Sequence, residues 1–423
     1  MLEDRIYHSI KIDEQHCIGC VTCMKACPTK AVRVQKRQAI INYDRCIDCG
    51  ECLRVCPSNA VVSLTTSAAD LSRFKYKVAL PSPVLYSQFG QNTMPNTVLA
   101  ALEEIGFNRV YDEAVICEMT SLAIEEYLAD RKSAGPTIST TCPVVVRLIQ
   151  RLFPDLCSLI VPIEPPREIA AKNLRAEISK KLDIPDNEIG IIHITSCPAK
   201  MVSINQPESM SKSFLNGAVS IRDIFNQIMM KIKKPSLHGI IDPQWSSSSH
   251  GINWAITGGE TNSLKTSNTI AVSGVYDTIR ILEDVESGRL KKIDYLECMI
   301  CPDGCVGGPL AVENRFIAKS NIIRLIRHLG NRRVVDASYV RELYKRGFFS
   351  FEHAVAPRPF RPLDNNRDTA IKKLKMKERI MKKLPGINCG VCGAPDCETL
   401  AEDIAREAAC LEDCTFMTTT EGK

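Results

Sequence analysis

CIGCVTCMKACP (residues 17–28) and CIDCGECLRVCP (residues 46–57) are two copies of one pattern, C-x2-C-x2-C-x3-C-P, with every cysteine displaced by 29 residues. In this spacing three thiolates sit on a tight loop around one iron–sulfur cube, and the fourth reaches the neighbouring cube. One cube would therefore take Cys17, Cys20, Cys23 and Cys56, and the other Cys46, Cys49, Cys52 and Cys27. Zinc, the bland alternative for clustered cysteines, rarely needs two such repeats. The β-rich stretches at 31–34, 39–41 and 61–64 supply the short strands of a ferredoxin-like βαβ repeat. Two cubes this close in sequence make an electron wire, which by itself does not say what is oxidised or reduced.

Outward from this module, 423 residues are too many for one ordinary core and imply two or three domains. No run of about 18 uncharged apolar residues is present, so no membrane span is expected. The start of the chain lacks a basic region followed by an apolar stretch, which makes a cytoplasmic location the expectation. Twenty cysteines in a chain of this kind point to metal thiolates and not to a disulfide scaffold. The formal charge is +5, but four thiolate-bound cubes would bring the metal-loaded protein to about −3. With no aromatic-interleaved basic stripe, nucleic acid is not an expected partner.

From about residue 75 strand-like runs such as KVALP and VRLIQ alternate with helical stretches such as NTVLAALEEIG and REIAAKNLRAEISKKL, which argues for an α/β region. Three separated cysteine sites follow: TTCP at Cys142, SCPAK at Cys197, and ECMICPDGC with Cys298, Cys301 and Cys305. These resemble the three signature motifs of the catalytic domain of [FeFe]-hydrogenases, in the same order, over about residues 77–350. The resemblance implies that Cys142, Cys197, Cys301 and Cys305 hold the cubane of an H-cluster. It further implies that Cys305 bridges to a diiron site bearing CO, cyanide and an azadithiolate. Lys200 matches the lysine that hydrogen-bonds a cyanide, a sensible partner for an anionic ligand, and Met299 matches the methionine beside the diiron site.

The departures are as informative. The family's first motif has adjacent cysteines, the first being the acid/base that serves the bridging amine; here that position is Thr141. An alcohol does not readily ionise, so the proton relay is expected to lose its first member. In ICEMTSLAIEEYL the family's proton-path glutamates align with Ile124 and Tyr127, and a one-residue slip brings in Glu125. Thr195 and Ser196 stand in place of the family's methionine before the proline of the second motif, and the last motif continues DGCVGGPL. Together these features resemble the divergent, sensory branch of the family. Two outcomes stay open: a bound diiron site with slow H₂ chemistry, or a site holding the cubane alone.

After a Pro-rich connector, RDTAIKKLKMKERIMKKLPG places Ile371, Leu374, Met381 and Leu384 at helical spacing. Its lysines read as a solvated helix face. LPGINCGVCGAPDC then provides Cys389, Cys392 and Cys397, with Cys414 after a helix, resembling a small four-cysteine [4Fe–4S] domain of redox-complex subunits. Cys410, one helical turn earlier, is an alternative to Cys414. Cys117 and Cys157 read as buried small hydrophobes and Cys298 as packing beside the ligand loop.

The expected architecture is α/β overall: a ferredoxin-like α+β domain (1–68), a two-lobed α/β hydrogenase-like domain (75–352) and a small helical cluster domain (368–423). Four [4Fe–4S] clusters would form a path from either end of the chain to the central site. The functional expectation is an H₂-responsive or slow hydrogenase that passes electrons to a redox or signalling protein such as a flavoprotein or ferredoxin. The alternative is an electron-transfer subunit of a larger oxidoreductase that keeps only the central cubane. No G-x-G-x-x-G or phosphate loop is present, so a nicotinamide or flavin site would belong to a partner.

Overall fold

A computed structural model of the protein describes residues 7–131, 135–233, 247–331 and 333–418. They divide into two compact units, one formed by the described residues before Thr65 with those from Arg358 onward, the other by Thr65–Pro357. Among the described residues no helix is long and apolar enough to cross a membrane.

In the first unit β1 (Ile10–Ile12), β2 (Val32–Gln35), β3 (Gln38–Ile41) and β4 (Val61–Ser63) form two antiparallel pairs, β1 with β4 and β2 with β3. The five-residue helices Thr22–Ala26 and Glu51–Val55 lie between them, each entered from a left-handed residue, Val21 (φ 59°) and Gly50 (φ 77°). Val21 is β-branched, for which this conformation is costly, and the ligand loop it closes has to hold it there. In the C-terminal part the helices Arg367–Lys383 and Cys397–Ala405 pack through Ile380, Leu384, Leu400, Ala401 and Ile404, with Cys397 and Cys414 in the same core. The apolar stripe expected on the lysine-rich helix is covered only at its C-terminal end: Leu384 is buried, whereas Ile371 and Leu374 are 43% and 47% exposed.

The second unit contains β5 (Tyr76–Pro81), β6 (Arg109–Val110), β7 (Thr137–Ile138), β8 (Ile189–Thr195), β9 (Gly217–Ser220), β10 (Thr269–Ser273) and β11 (Tyr295–Met299). They make two wholly parallel sheets, ordered β6-β5-β8-β9 and β10-β11-β7. All seven residues of β8, IGIIHIT, are buried, the continuous pattern of a parallel strand covered on both faces. KVALP lies in β5, but VRLIQ does not form a strand; it belongs to the helix Pro143–Leu152. Pro143, with its preset φ and no N–H to satisfy, opens that helix directly after Cys142. The helical period shows only over the whole segment, where Arg147, Gln150 and Arg151 fall on one face; the five residues VRLIQ alone are too few to display it.

Ile192 is fully buried in the core that joins β8 to the elements around Val84, Leu99 and Ile322. Ile192→Ala should destabilise this unit by about 2–5 kcal/mol, the usual cost of an unfilled large-to-small cavity. Anaerobic urea unfolding would show the loss as a lower midpoint, with iron content of the folded protein unchanged.

Candidate metal centre

The eight N-terminal cysteines fall into two interleaved sets. The Cys23 thiol is pushed up to about 11 by burial and by its neighbours Cys20, Cys17 and Cys56. Burial likewise holds Cys49 and Cys52 well above the ordinary thiol range, and in both cases Cys27 is among the neighbours that add to it. Cys56 thus keeps company with the first loop and Cys27 with the second. Backbone amides point at the sulfurs: Ala39 N–H donates to Cys17 Sγ (3.4 Å), Ala31 N–H to Cys27 Sγ (3.2 Å) and Asp48 N–H to Cys46 Sγ (3.4 Å). Such donors suit the negative charge that thiolates and cluster sulfides carry. The fully buried Asp48 carboxylate accepts from Ser9 N–H (2.9 Å) and pairs with His8 Nδ1 (2.7 Å), which pins the left-handed residue (φ 53°) whose amide faces Cys46.

At the C-terminus Cys392 is raised by burial, with Cys414 and Cys389 both adding to the effect, so these three sulfurs lie near one another. Cys397 is buried at the start of its helix, its N–H donating to Asn388 Oδ1 (2.9 Å). Cys410 is exposed and its N–H is turned to Asp413 Oδ2 (2.9 Å), whereas Cys414 is buried in the core with Cys397.

The central cysteines come from loops at the carboxyl ends of parallel strands. Cys142 follows β7, Cys197 follows β8, and Cys301 and Cys305 follow β11, so both sheets contribute. Crevices outside the carboxyl ends of parallel strands are where α/β folds hold ligands. Cys142 and Cys197 each cap a helix whose first residue is proline, Pro143–Leu152 and Pro198–Asn205. The positive ends of those helices favour an anionic cluster. Burial raises the Cys197 thiol, helped by Cys142, and pushes Cys305 up to about 12, where Cys142 and Cys197 oppose the lowering influence of Lys200. Cys301 stands four residues before Cys305 in the same loop, half-buried. Ser196 Oγ donates to Cys305 C=O (2.9 Å) and Leu310 N–H to Ser196 C=O (3.0 Å), which ties the third loop to the second. Met299 is buried at the end of β11.

Lys200 is buried, with Nζ 3.2 Å from His193 Nε2. Burial, with Lys200 and Arg167 nearby, holds His193 well below the ordinary imidazole range, so the ring is neutral. Its Nδ1–H donates to Leu80 C=O (3.1 Å), which leaves Nε2 to accept from Lys200. An ammonium has three N–H donors, and this contact uses one. A buried cation with donors to spare beside Cys305 suits an anionic ligand there, so the donor set fits a cubane with an attached diiron group.

Thr141 does not stand alone. Its hydroxyl donates to Glu260 Oε2 (3.4 Å), Ser139 Oγ donates to the same carboxyl (2.8 and 3.0 Å), and Tyr295 OH donates to Glu260 Oε1. Glu260 is buried, and burial together with the neighbouring Glu297 carboxyl raises its pKa far above the ordinary carboxyl range. Glu297 in turn accepts from the N–H groups of Gly258 (2.8 Å) and Thr261 (2.9 Å). The positions aligned with the family's proton path are placed differently. Ile124 is buried in the core, Tyr127 packs against it, and Glu125 is engaged with Lys265, Nζ to Oε2 at 2.9 Å. Sequence reading missed Glu260, Glu297, His193 and Glu113. For Glu297 and His193 the one available signal was a titratable residue inside an all-buried strand, YLECM and IGIIHIT; Glu260 and Glu113, the latter 3.7 Å from His193 Nδ1, lie outside strands. Cys117 is buried as expected, yet it lies near the site, for Glu113, Lys200 and Glu260 all act on its thiol.

The sequence profile of the iron-only hydrogenase large subunit, C-terminal domain, matches residues 75–265 and 250–309. A 4Fe-4S dicluster domain matches 9–57 and an Fe-S cluster domain 384–416. Among characterised relatives, the NADP-reducing hydrogenase subunit HndD of Solidesulfovibrio fructosivorans is 21% identical over 49% of this chain, and the match spans 44% of that protein. The periplasmic [Fe] hydrogenase large subunit of Nitratidesulfovibrio vulgaris is 23% identical over 71% of this chain and 86% of its own length. A solved [FeFe]-hydrogenase, studied for oxygen inactivation through its H cluster 2Fe subcluster, superposes with a TM-score of 0.50. That superposition has 14% identity and covers 67% of this chain and 95% of the other. It is a likeness of fold. With its profile matched over more than half of the residues, the chain belongs to the iron-only hydrogenase large-subunit family.

Proposed function

We propose that this protein is an H₂-responsive or slow hydrogenase that carries four [4Fe–4S] clusters and a diiron subsite attached through Cys305. The observation that carries this reading is the convergence of Cys142, Cys197 and Cys305 beside the buried Lys200, with donors left for an anionic ligand. When bound, the diiron group supplies the metal position at which H₂ is split or formed. Cys142, Cys197, Cys301 and Cys305 would hold the cubane, Lys200 would donate to an anionic ligand of the group, Met299 would pack beside it, and His193 orients Lys200.

Proton delivery falls to Thr141 and Glu260. A hydroxyl passes a proton by accepting on one side and donating on the other, without ionising, provided an acid/base stands behind it. Glu260 is that group: burial and Glu297 keep it protonated at neutral pH, and Ser139 and Tyr295 fix its orientation. Electrons leave through the remaining clusters to a redox or signalling protein such as a flavoprotein or ferredoxin. Cys20 and Cys389 are exposed, and Ile18 and Val391 beside them are 60% and 65% exposed, an apolar margin that suits transient docking.

Anaerobic reconstitution should yield about 16 cubane irons per chain, and about two more once the diiron group is loaded by maturation enzymes. Infrared bands of metal-bound CO and cyanide would establish the diiron group. Their absence at full cubane loading would leave an electron-transfer subunit of a larger oxidoreductase. Cys305→Ser should abolish or strongly shift those bands; an unchanged spectrum would show that Cys305 does not carry the group.

Glu260→Gln, at equal infrared intensity, should lower H₂ turnover by about 10²- to 10⁴-fold, the usual contribution of a positioned acid/base. Because the carboxyl pKa is raised, it becomes a proton acceptor only as pH climbs past the ordinary carboxyl range. Wild-type H₂ oxidation should therefore rise with pH, and the Gln variant should lose that dependence. Thr141→Cys should retain or increase turnover and Thr141→Ala should reduce it; equal rates in all three would place the proton path elsewhere.

A further inference from the structure

The C-terminal cysteine loop does not stand off from the ferredoxin-like part of its unit. Val34 N–H donates to Gly393 C=O (2.9 Å). Gly393 has φ 81°, and a Cβ there would come 1.8 Å from Val34 C=O, so only glycine permits the approach. Lys25 Nζ donates to the carbonyls of Asn388 (2.5 Å) and Pro395 (2.8 Å), which precede Cys389 and Cys397 by one and two residues. At Gly390 a Cβ would meet the Lys25 stem at 2.6 Å and the Met24 methyl at 3.0 Å. Lys25 itself lies two residues from both Cys23 and Cys27, which fall in different ligand sets.

Charges of opposite sign flank this contact. Lys30 pairs with Asp396 (2.9 Å) and Glu398 (3.0 Å), Arg33 grips Asp403 through Nε and Nη2, and Arg45 reaches Glu402. In these pairs the cations come from the ferredoxin-like part and the anions from the segment around the helix Cys397–Ala405. The Arg33–Asp403 and Arg45–Glu402 side chains are all less than one fifth exposed. Shielded and, for Arg33, two-pronged, they hold a geometry that an exposed pair would not.

Besides the pairs made by the helix Cys397–Ala405, the ligand loop itself makes contact, against the short helix that carries Cys23. From Cys389 through the Asn388 carbonyl, one hydrogen bond to Lys25 Nζ, the Lys25 side chain and the backbone to Cys23, the path is covalent apart from that single hydrogen bond. We infer that the C-terminal cluster exchanges electrons directly with the ferredoxin pair across the contact of loop 388–397 with Lys25, making one three-cluster relay. Each step moves one electron from cube to cube, one oxidised as its neighbour is reduced, with no bond or proton changed. The two ends of the chain then serve as one terminal, not as two separate paths. This inference rests on the proposed assignment of a cluster to Cys389, Cys392, Cys397 and Cys414.

The test uses full-length, metal-loaded protein, reduced and followed by electron paramagnetic resonance with iron analysis. Cys389→Ser with Cys392→Ser should remove about four irons and slow the spin relaxation of the ferredoxin signals several-fold, because a nearby paramagnet has gone. Arg33→Glu with Arg45→Glu should keep all the iron yet slow relaxation similarly, and adding Asp403→Arg with Glu402→Arg should restore it. Iron loss in the cysteine variant without a change in relaxation overturns direct exchange alone. No iron loss in that variant overturns the cluster assignment and the exchange with it. Should the charge-reversal pair lose iron, a swapped variant that regains iron without regaining fast relaxation also overturns the exchange.

Discussion

Thiolates repel one another and lose their hydration when buried, so cysteines gathered in an interior must either stay protonated or share a cation. Each cysteine group in this chain sits under that constraint. Burial and neighbouring cysteines push the Cys23 thiol up to about 11 and the Cys305 thiol up to about 12. Binding iron would replace the thiol protons, and the energy gained would be folding energy as much as binding energy. The short strands and five-residue helices of the first unit bury little apolar surface by themselves. Their geometry makes sense chiefly as a frame for sulfur.

The second unit meets the constraint differently. Its core is large, and helix N-termini at Cys142 and Cys197 lower the cost of negative charge before any side chain is counted. Lys200 adds a full positive charge that is itself buried, steadied by a neutral His193 and by the Glu113 carboxyl, whose own pKa is raised by burial against the lowering pull of Lys200 and Arg167. A buried cation whose N–H donors are only partly used by His193 gains further from an anion within hydrogen-bond reach. That gain is the physical reason for reading the pocket as prepared for a negatively charged group.

What the sequence made legible follows from how far each interaction reaches along the chain. The α/β class, the strand at KVALP and the long helices were readable because their patterns are local. The spacing of the first eight cysteines also encodes the interleaving that places Cys56 beside Cys23. VRLIQ misled because five residues alone do not show the helix that holds them, where Arg147, Gln150 and Arg151 at i, i+3 and i+4 make one polar face. Glu260, drawn from 119 residues away to Thr141, and Asp403, 370 residues from Arg33, leave no local trace. Pairings of that kind depend on the packing of whole elements, which composition and period do not record.

The Thr141–Glu260 arrangement also bears on speed. A thiol at the position of Thr141 could give up its own proton, its ordinary pKa lying near neutrality. Here the titrating group is a carboxyl in a dry site that already contains Glu297, so releasing its proton places two buried negative charges side by side. The amides of Gly258 and Thr261 offset part of that cost on the Glu297 side, and the hydroxyls of Ser139, Thr141 and Tyr295 do so for Glu260. Neutral hydroxyl donors stabilise a carboxylate less than a cationic donor does. On the proposed reading, each turnover would have to cross this unfavourable state. Such a group takes up a proton readily once ionised and gives it up reluctantly, so on the proposed reading turnover is slow in either direction.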